Sequence, residues 1–148
     1  MKKIKNKWLL ICLTSLYTSI LSTNTIYAQH INNPFKGHFL DKKENVHLML
    51  DLYEPTLQIP NLEFLGKTHG YMHGNIYGIW LVTKYKINKN TATLRLSHDS
   101  GADSQTIELT IRDDSTLIYR AIDGNSVRRA HKRKLIKAPS EFKLIKID

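Results

Sequence analysis

Two histidines, His69 and His73, lie four residues apart in a glycine-rich segment. On a helix this spacing can chelate zinc, but the two glycines within the six residues from His69 to Gly74 disfavour a helix. On a strand the two side chains are about 13 Å apart along the chain, at about 3.3 Å per residue. A hairpin tip would bring them together, with His47 or His98 as a third ligand. Otherwise they are polar lining or exposed residues, and we assign no metal site and no cofactor.

A run of cations near the C-terminus is the second candidate. Residues 128–137 contain six arginines and lysines, one histidine and no acid. Such a run suits phosphate, acidic glycans or an acidic protein partner. We expect no nucleic-acid partner, because an exported protein rarely meets nucleic acid and no aromatic residue interleaves the run. The alternative is the solvated face of a last strand, although cations would then occupy both faces. The predicted partner-binding residues are Arg128, Arg129, Lys132, Arg133 and Lys134.

Aromatic and aliphatic side chains at alternate positions suggest a third kind of site. They line a ligand pocket or, alternatively, form an ordinary core. Four of them share one strand face if the alternation continues without interruption from residue 77 to residue 87. The predicted ligand-binding residues are Tyr77, Ile79, Leu81, Tyr85 and Tyr119.

Evidence for catalysis is thin. Asp113 with Asp114, and Asp99 with Asp103, offer paired carboxylates. They lie in predicted turns, where aspartate is favoured by hydrogen bonds to the backbone. The sequence has no nucleophile elbow, zinc-protease helix, phosphate-binding loop or dinucleotide fingerprint. We therefore predict that the protein is not an enzyme.

The N-terminus has the pattern of an export signal. Four lysines precede an apolar stretch from Trp8 to Leu21, and Ala28 suits a cleavage site. We predict a cleaved signal-peptide helix at residues 1–28 and a secreted or periplasmic protein. The alternative is a retained anchor. Serines and threonines interrupt the apolar stretch, however, and a span needs about 20 mostly apolar residues, so we expect no membrane anchor after cleavage.

Composition limits the mature chain further. Cys12 is the only cysteine and lies within the predicted signal, so the mature protein has no disulfide and no thiol chemistry. Removing the four signal lysines from the net charge of +9 leaves +5. A mature chain of about 120 residues suffices for one domain with its own core.

Hydrophobic periodicity predicts the fold that would position these residues. From Ile76 to Ile136 apolar residues alternate with polar ones in five strands, separated by turn residues. Earlier segments, including Val46 to Leu52, raise the count to about eight. We predict an all-β fold, a single antiparallel meander closing into a small barrel. The predicted boundaries are 29–36 for a flexible leader, 37–138 for the barrel and 139–148 for a C-terminal tail.

The strand pattern resembles the lipocalin-like (calycin) group of small exported barrels. Gly37, His38 and Phe39 stand where lipocalins have glycine, any residue and tryptophan. The resemblance implies a barrel that binds small molecules, although some relatives inhibit secreted enzymes. The leading hypothesis is an exported non-catalytic protein holding a small apolar or amphipathic ligand inside the barrel. The alternative is an inhibitor or immunity-type interaction module that uses loops and a basic C-terminal strand. A filled barrel favours the alternative, and an open apolar pocket favours the first.

Overall fold

The computed structural model describes residues 33–147. The predicted signal peptide, 1–28, and the first part of the predicted leader lie outside the described residues. Within 33–147, no helix is long and apolar enough to cross a membrane.

The described residues form strands and a single turn of 3-10 helix, Glu63–Leu65. Eight strands close into a barrel in the order β1, β12, β9, β8, β7, β6, β5 and β2, and the remaining four form two small two-stranded sheets. The strands are β1 (Lys36–Asp41), β2 (Val46–Asp51), β3 (Leu57–Gln58), β4 (Lys67–Thr68), β5 (Gly70–Gly74), β6 (Trp80–Asn88), β7 (Thr91–His98), β8 (Ser104–Asp113), β9 (Thr116–Ala121), β10 (Arg128–His131), β11 (Lys134–Lys137) and β12 (Glu141–Lys146). This closed antiparallel barrel confirms the predicted fold class of the described region.

The inward-facing side chains follow the predicted alternation in the middle of the barrel. In β7 and β8 every second residue is buried, from Ala92 to Leu96 and again at Ile107 and Leu109. An eight-stranded barrel is just wide enough for side chains to fill its interior. The buried residues form one contiguous cluster. Its largest fully buried members include Trp80, Tyr119, Phe35, Phe39, Phe142, Leu48 and Met72.

The C-terminal segment corrects the predicted domain boundary. The predicted tail, 139–148, instead contains β12, which lies between β9 and β1 and closes the barrel. Its inward residues, Phe142 and Leu144, are buried. Two alternating apolar residues among charged ones are a weak strand signal. The segment becomes a strand because closure removes the free edges that β1 and β9 would otherwise expose.

Strand β6 contains an irregularity that the sequence pattern does not show. Val82 pairs with Leu96 and the next pair is Lys84 with Arg95, so Thr83 is an extra residue without a partner. Such a bulge reverses which residues point inward. Trp80 and Val82 are buried, whereas the face predicted to line a ligand pocket began with Tyr77 and included Leu81. The prediction of one continuous face from 77 to 87 is therefore wrong.

Consecutive barrel strands alternate in direction, so their connections lie at two ends. The upper end carries the β1–β2, β5–β6 and β7–β8 connections and the segment from β9 to β12, which contains β10 and β11. The lower end carries the β6–β7 and β8–β9 turns and the long connection from β2 to β5. The basic run and residues 83–88 of β6 are thereby placed apart, since β6 runs from the upper end towards the lower one.

Asp51 organises the chain where β2 ends at the lower end. Its buried carboxylate pairs with Lys36 Nζ at 2.8 Å, and accepts hydrogen bonds from the Thr56 hydroxyl at 2.7 Å and the Glu54 N–H at 3.0 Å. Burial alone raises the pKa of a carboxyl group. Here the hydrogen bonds from Lys36, Thr56 and Glu54 outweigh burial and lower the pKa of Asp51 to about 2.

We expect Asp51→Asn to lower the free energy of unfolding at pH 7 by about 1–2 kcal/mol. The folded-state pKa lies below the unfolded value, so this stabilisation is fully present above about pH 4 and is lost as pH falls through about 2. Urea unfolding at pH 7, 4 and 2 measures it. The control is Asp114→Asn, an exposed turn carboxylate, with a change expected within about 0.5 kcal/mol. A wild-type advantage that persists unchanged at pH 2 would contradict the assignment.

Candidate interaction hairpin

The predicted basic strand is a two-stranded hairpin. Strands β10 and β11 pair with each other, with His131 opposite Lys134, and belong to a sheet separate from the barrel. The prediction of a single last strand is wrong because the chain reverses at Lys132 and Arg133, where the sequence carries no glycine or asparagine turn signal. The basic hairpin, defined here as residues 128–137, lies at the upper end of the barrel.

The tip of the basic hairpin has an unusual backbone. Lys132 and Arg133 have φ values of 45° and 65°, and they form a two-residue connection between paired strands. Positive φ at both positions is the mark of a type I′ turn, in which asparagine and glycine are strongly preferred. A bulky residue in this conformation costs about 1–2 kcal/mol. The fold therefore tolerates local strain and presents two cations at the tip.

The base of the hairpin is fixed to the barrel. Val127 and Ala138 flank it, are both buried, and are joined by a hydrogen bond from the Ala138 N–H to the Val127 carbonyl at 2.9 Å. The Asn125 side-chain amide donates to the Ala138 carbonyl at 2.6 Å. The β5–β6 connection also holds the hairpin, because the Tyr77 N–H donates to the Arg128 carbonyl at 2.7 Å. These contacts give the hairpin a defined direction.

The five predicted partner-binding residues have two different roles. The Arg129 guanidinium forms an ion pair with the Glu44 carboxylate of the β1–β2 turn, and both side chains are largely buried. Arg129 is therefore part of the anchor. The other four, Arg128, Lys132, Arg133 and Lys134, are exposed and form no ion pair with any residue in the range 33–147. Lys137, on β11, has the same character and was not among the predicted residues.

The predicted ligand-binding residues are not brought together. Tyr77 and Ile79 precede β6, and the Tyr77 side chain is 56% exposed and stacks on His98. Leu81 is half-buried and points away from the core, because its neighbours Trp80 and Val82 point inward. Tyr85 follows the bulge and pairs with Leu94, so it shares the inward side, yet it is 38% exposed.

Tyr119 is the one predicted ligand-binding residue of the five that is fully buried in the barrel interior. Its ring is fully buried against Phe142, with ring centroids 4.8 Å apart. Its hydroxyl has no hydrogen-bond partner among residues 33–147, and burial raises its pKa. The ring is thus a core element.

The histidines form a row on the outer surface. His73 stacks on His47 with ring centroids 4.9 Å apart, and His38 Nε2 lies 2.8 Å from His47 Nδ1. Burial, followed by the neighbouring histidines, lowers the pKa values of His47 and His73. His69 is separate and contacts Tyr85. Within the described part of the chain, no group of three or more histidine, cysteine, aspartate or glutamate residues is placed to hold a metal ion.

One cluster resembles catalytic machinery in composition. His98 Nδ1 lies 2.9 Å from Asp99 Oδ1 and 2.8 Å from Ser100 Oγ. The opposite nitrogen, Nε2, is buried without a partner among the described residues and lies against Gly78. A general base must come within hydrogen-bond reach of a substrate proton. The buried Nε2 is out of reach of such a proton, and Nδ1 is already in contact with Asp99 and Ser100. The imidazole therefore holds the β7–β8 connection in place.

The basic hairpin combines fixed direction, exposed cations and a strained tip. Arginine and lysine groups on a preformed surface attract carboxylates. The anchoring pair, Arg129 and Glu44, joins residues far apart in sequence, and local pattern carries no signal for it.

Comparisons with protein-family models, with curated proteins and with solved structures find no match for this chain.

Proposed function

We propose that this protein is an exported, non-catalytic interaction module that binds an acidic protein partner through the basic hairpin. The observation that carries the proposal is the hairpin itself. Ten residues with six cations and no acid stand outside the barrel sheet, on a base held by buried contacts. Five of the six cations form no ion pair within residues 33–147.

The packing of the barrel interior also supports binding at the outer surface. The inward positions carry fully buried aromatic and aliphatic side chains in one cluster, with Tyr119 among them. A ligand inside the barrel would have to displace these side chains. Binding at the outside, by a rigid projection, needs no such rearrangement.

The hairpin also has the mixed surface of a protein interface. Ala130 faces Leu135 across the two strands, and the Leu135 side chain is 45% exposed. Arg128 and Lys137 form the next pair on the same face. An apolar centre bordered by arginine and lysine is the composition that interfaces favour, and arginine is frequent among residues that dominate binding energy.

The proposal is tested with a hairpin variant, Lys132→Asn, Arg133→Gly and Lys134→Gln. It removes three cations but supplies the Asn-Gly pair that a type I′ turn prefers, so we expect an equal or higher melting temperature. Each lost contact is worth about 0.5 kcal/mol, so partner affinity should fall about tenfold. The partner is first identified by capture from the secreted and periplasmic fractions of the host, and affinity is then measured by calorimetry with the purified protein.

A matched variant separates position from net charge. Lys42→Gln, Lys89→Asn and Arg112→Gln remove three exposed cations outside the hairpin. We expect this variant to retain the wild-type affinity within about twofold, because exposed charges away from an interface contribute little. Equal loss in both variants, or loss in neither, would reject the hairpin as the binding site.

A small ligand remains a second candidate, supported by one observation. An open cleft of about 360 Å³ lies outside the barrel, lined by the predicted residue Ile79 together with Pro60, Tyr71 and His73. This volume lies at the small end of the range for ligand pockets. Native mass spectrometry of protein purified from its host distinguishes the candidates, since a bound small molecule adds a defined mass and a protein partner adds a subunit.

A further inference from the structure

The barrel has a weak seam between β5 and β6. Only two residue pairs join these strands, Tyr71 with Leu81 and Met72 with Trp80. Beyond Val82, β6 continues to Asn88 with β7 on one side and no strand on the other among residues 33–147. Residues 83–88 are all exposed. We call this segment the open edge.

We propose that the open edge binds an extended acidic segment of a protein partner by strand addition. The inference goes beyond the basic hairpin, which lies at the upper end of the barrel, whereas the open edge runs to the lower end. A partner strand that pairs here would complete the sheet on the free side of β6.

The backbone of the open edge provides the hydrogen-bonding groups. In an antiparallel pair every second residue directs its N–H and C=O groups to the partner, and the others direct theirs away. Asn88 and Thr91 form the pair that closes the two-residue β6–β7 turn, which directs Lys86 and Lys84 towards β7. Tyr85 and Ile87 consequently offer their N–H and C=O groups to the open side.

The side chains define the chemistry of the added strand. Lys84 and Lys86 lie on the outer face of the sheet, where an open cleft of about 290 Å³ is lined also by Thr93, Arg95 and Thr106 of β7 and β8. Arg95 forms an ion pair with Asp123, with 2.8 Å between nitrogen and oxygen. Lys84 and Lys86 are therefore the cations of this cleft that can pair with carboxylates of an added strand. Carboxylates at alternate positions of an added strand would lie opposite these lysines, and apolar side chains between them would lie beside Tyr85 and Ile87.

The same charges argue against a second copy of this chain at the open edge. Edge-to-edge pairing of two copies would place Lys84 and Lys86 against lysines, and like charges facing each other across strands are destabilising. Lysine on an edge strand is a recognised defence against such self-pairing. The two lysines thus disfavour a second copy of this chain and attract an acidic segment.

The test uses a synthetic acetylated peptide in which glutamate alternates with valine, added to the full mature protein. Hydrogen exchange followed by NMR is the readout. We expect the amide protons of Tyr85 and Ile87 to exchange about tenfold more slowly with peptide bound, while those of Lys84 and Lys86, already bonded to β7, change little. Peptide binding that leaves Tyr85 and Ile87 unprotected would overturn strand addition.

Two variants sharpen the result. Lys84→Glu with Lys86→Glu should weaken the glutamate–valine peptide about tenfold and favour a lysine–valine peptide instead. Ile87→Pro removes an outward N–H without removing a bond to β7, and should abolish protection, whereas Ile87→Val should retain it. If Ile87→Pro does not fold, the charge-reversal pair decides. Self-association of the wild type through this edge would also overturn the proposal.

The basic-hairpin variant keeps the two proposals apart. Lys132→Asn, Arg133→Gly and Lys134→Gln should leave the peptide-induced protection of Tyr85 and Ile87 unchanged. Loss of protection in this variant would mean that the peptide binds the hairpin, which would overturn the open-edge proposal and leave the proposed function standing.

Discussion

Replacing Trp80 by alanine is expected to lower the free energy of unfolding by about 3–5 kcal/mol, whereas Leu81→Ala is expected to lower it by less than about 1.5 kcal/mol. Trp80 is 1% exposed and lies within the core cluster, with its indole N–H donating to the Tyr77 carbonyl at 3.1 Å. Leu81 is only half-buried, on the outer side. Equilibrium unfolding in urea measures both values.

This pair of substitutions tests the inward face of β6 directly. The uninterrupted alternation predicted from the sequence places Leu81 and Trp80 on opposite faces without deciding which of the two turns inward. A larger loss for Leu81→Ala than for Trp80→Ala would therefore reject the register described here. Small domains are stable by about 5–15 kcal/mol, so the expected effect of Trp80→Ala is a large share of the total.

The second large effect is expected at Gly78. This residue has φ of 73°, and a Cβ atom placed on it would lie 2.1 Å from His98 Nε2. The imidazole cannot move freely, because Tyr77 stacks on it and the Trp80 ring meets it edge-on. We expect Gly78→Ala to lower the free energy of unfolding by about 3–5 kcal/mol, from backbone strain and overpacking together. Thermal and urea unfolding measure the loss.

Gly101 supplies the matched control for Gly78. It has nearly the same φ, 74°, but nothing lies within 4 Å of the position its Cβ would occupy. Gly101→Ala should therefore cost only the backbone strain, about 1–2 kcal/mol. Combining Gly78→Ala with His98→Ala should cost less than the two losses added, because the second substitution removes the contact that causes the first. Equal losses at Gly78 and Gly101, or strict additivity, would contradict the packing described.

Both proposed binding surfaces, like Gly78, have an irregular backbone conformation. The tip of the basic hairpin has two long side chains at positive φ, and the open edge follows a bulge in β6. Backbone strain and bulges persist where the surrounding structure enforces them, and they are frequent at functional sites. In this protein both features leave exposed cations on a rigid framework.

The fold class follows from hydrophobic alternation. In β7 the inward residues Ala92, Leu94 and Leu96 are buried as predicted, and β8 repeats the pattern. These strands lie in the middle of the meander, where each has a neighbour on both sides. Local pattern and tertiary pairing agree there, which is why the prediction is accurate.

The predicted ligand and partner sites depend on strand pairing and on contacts between residues far apart in sequence, which the local pattern does not show. The ligand face assumed one unbroken strand, and the single extra residue Thr83 reversed it. The basic run indicated the charge of a surface but not its shape, because a turn built on Lys132 and Arg133 has no sequence signal. Within residues 33–147, Arg129 is the only cation of the basic run in an ion pair, and its partner is a glutamate 85 positions away in sequence.

What the amino-acid order alone determined was an all-β chain with alternating faces, a single core and a cationic C-terminal region, because side-chain periodicity and charge are local properties. Only the tertiary structure decided that β12 closes the barrel, that the cations stand on a hairpin, and that half of β6 has no second neighbouring strand among the described residues. The reason is physical: register, bulges and closure depend on which distant strand supplies the hydrogen-bond partners, and those partners are chosen only when the sheet assembles.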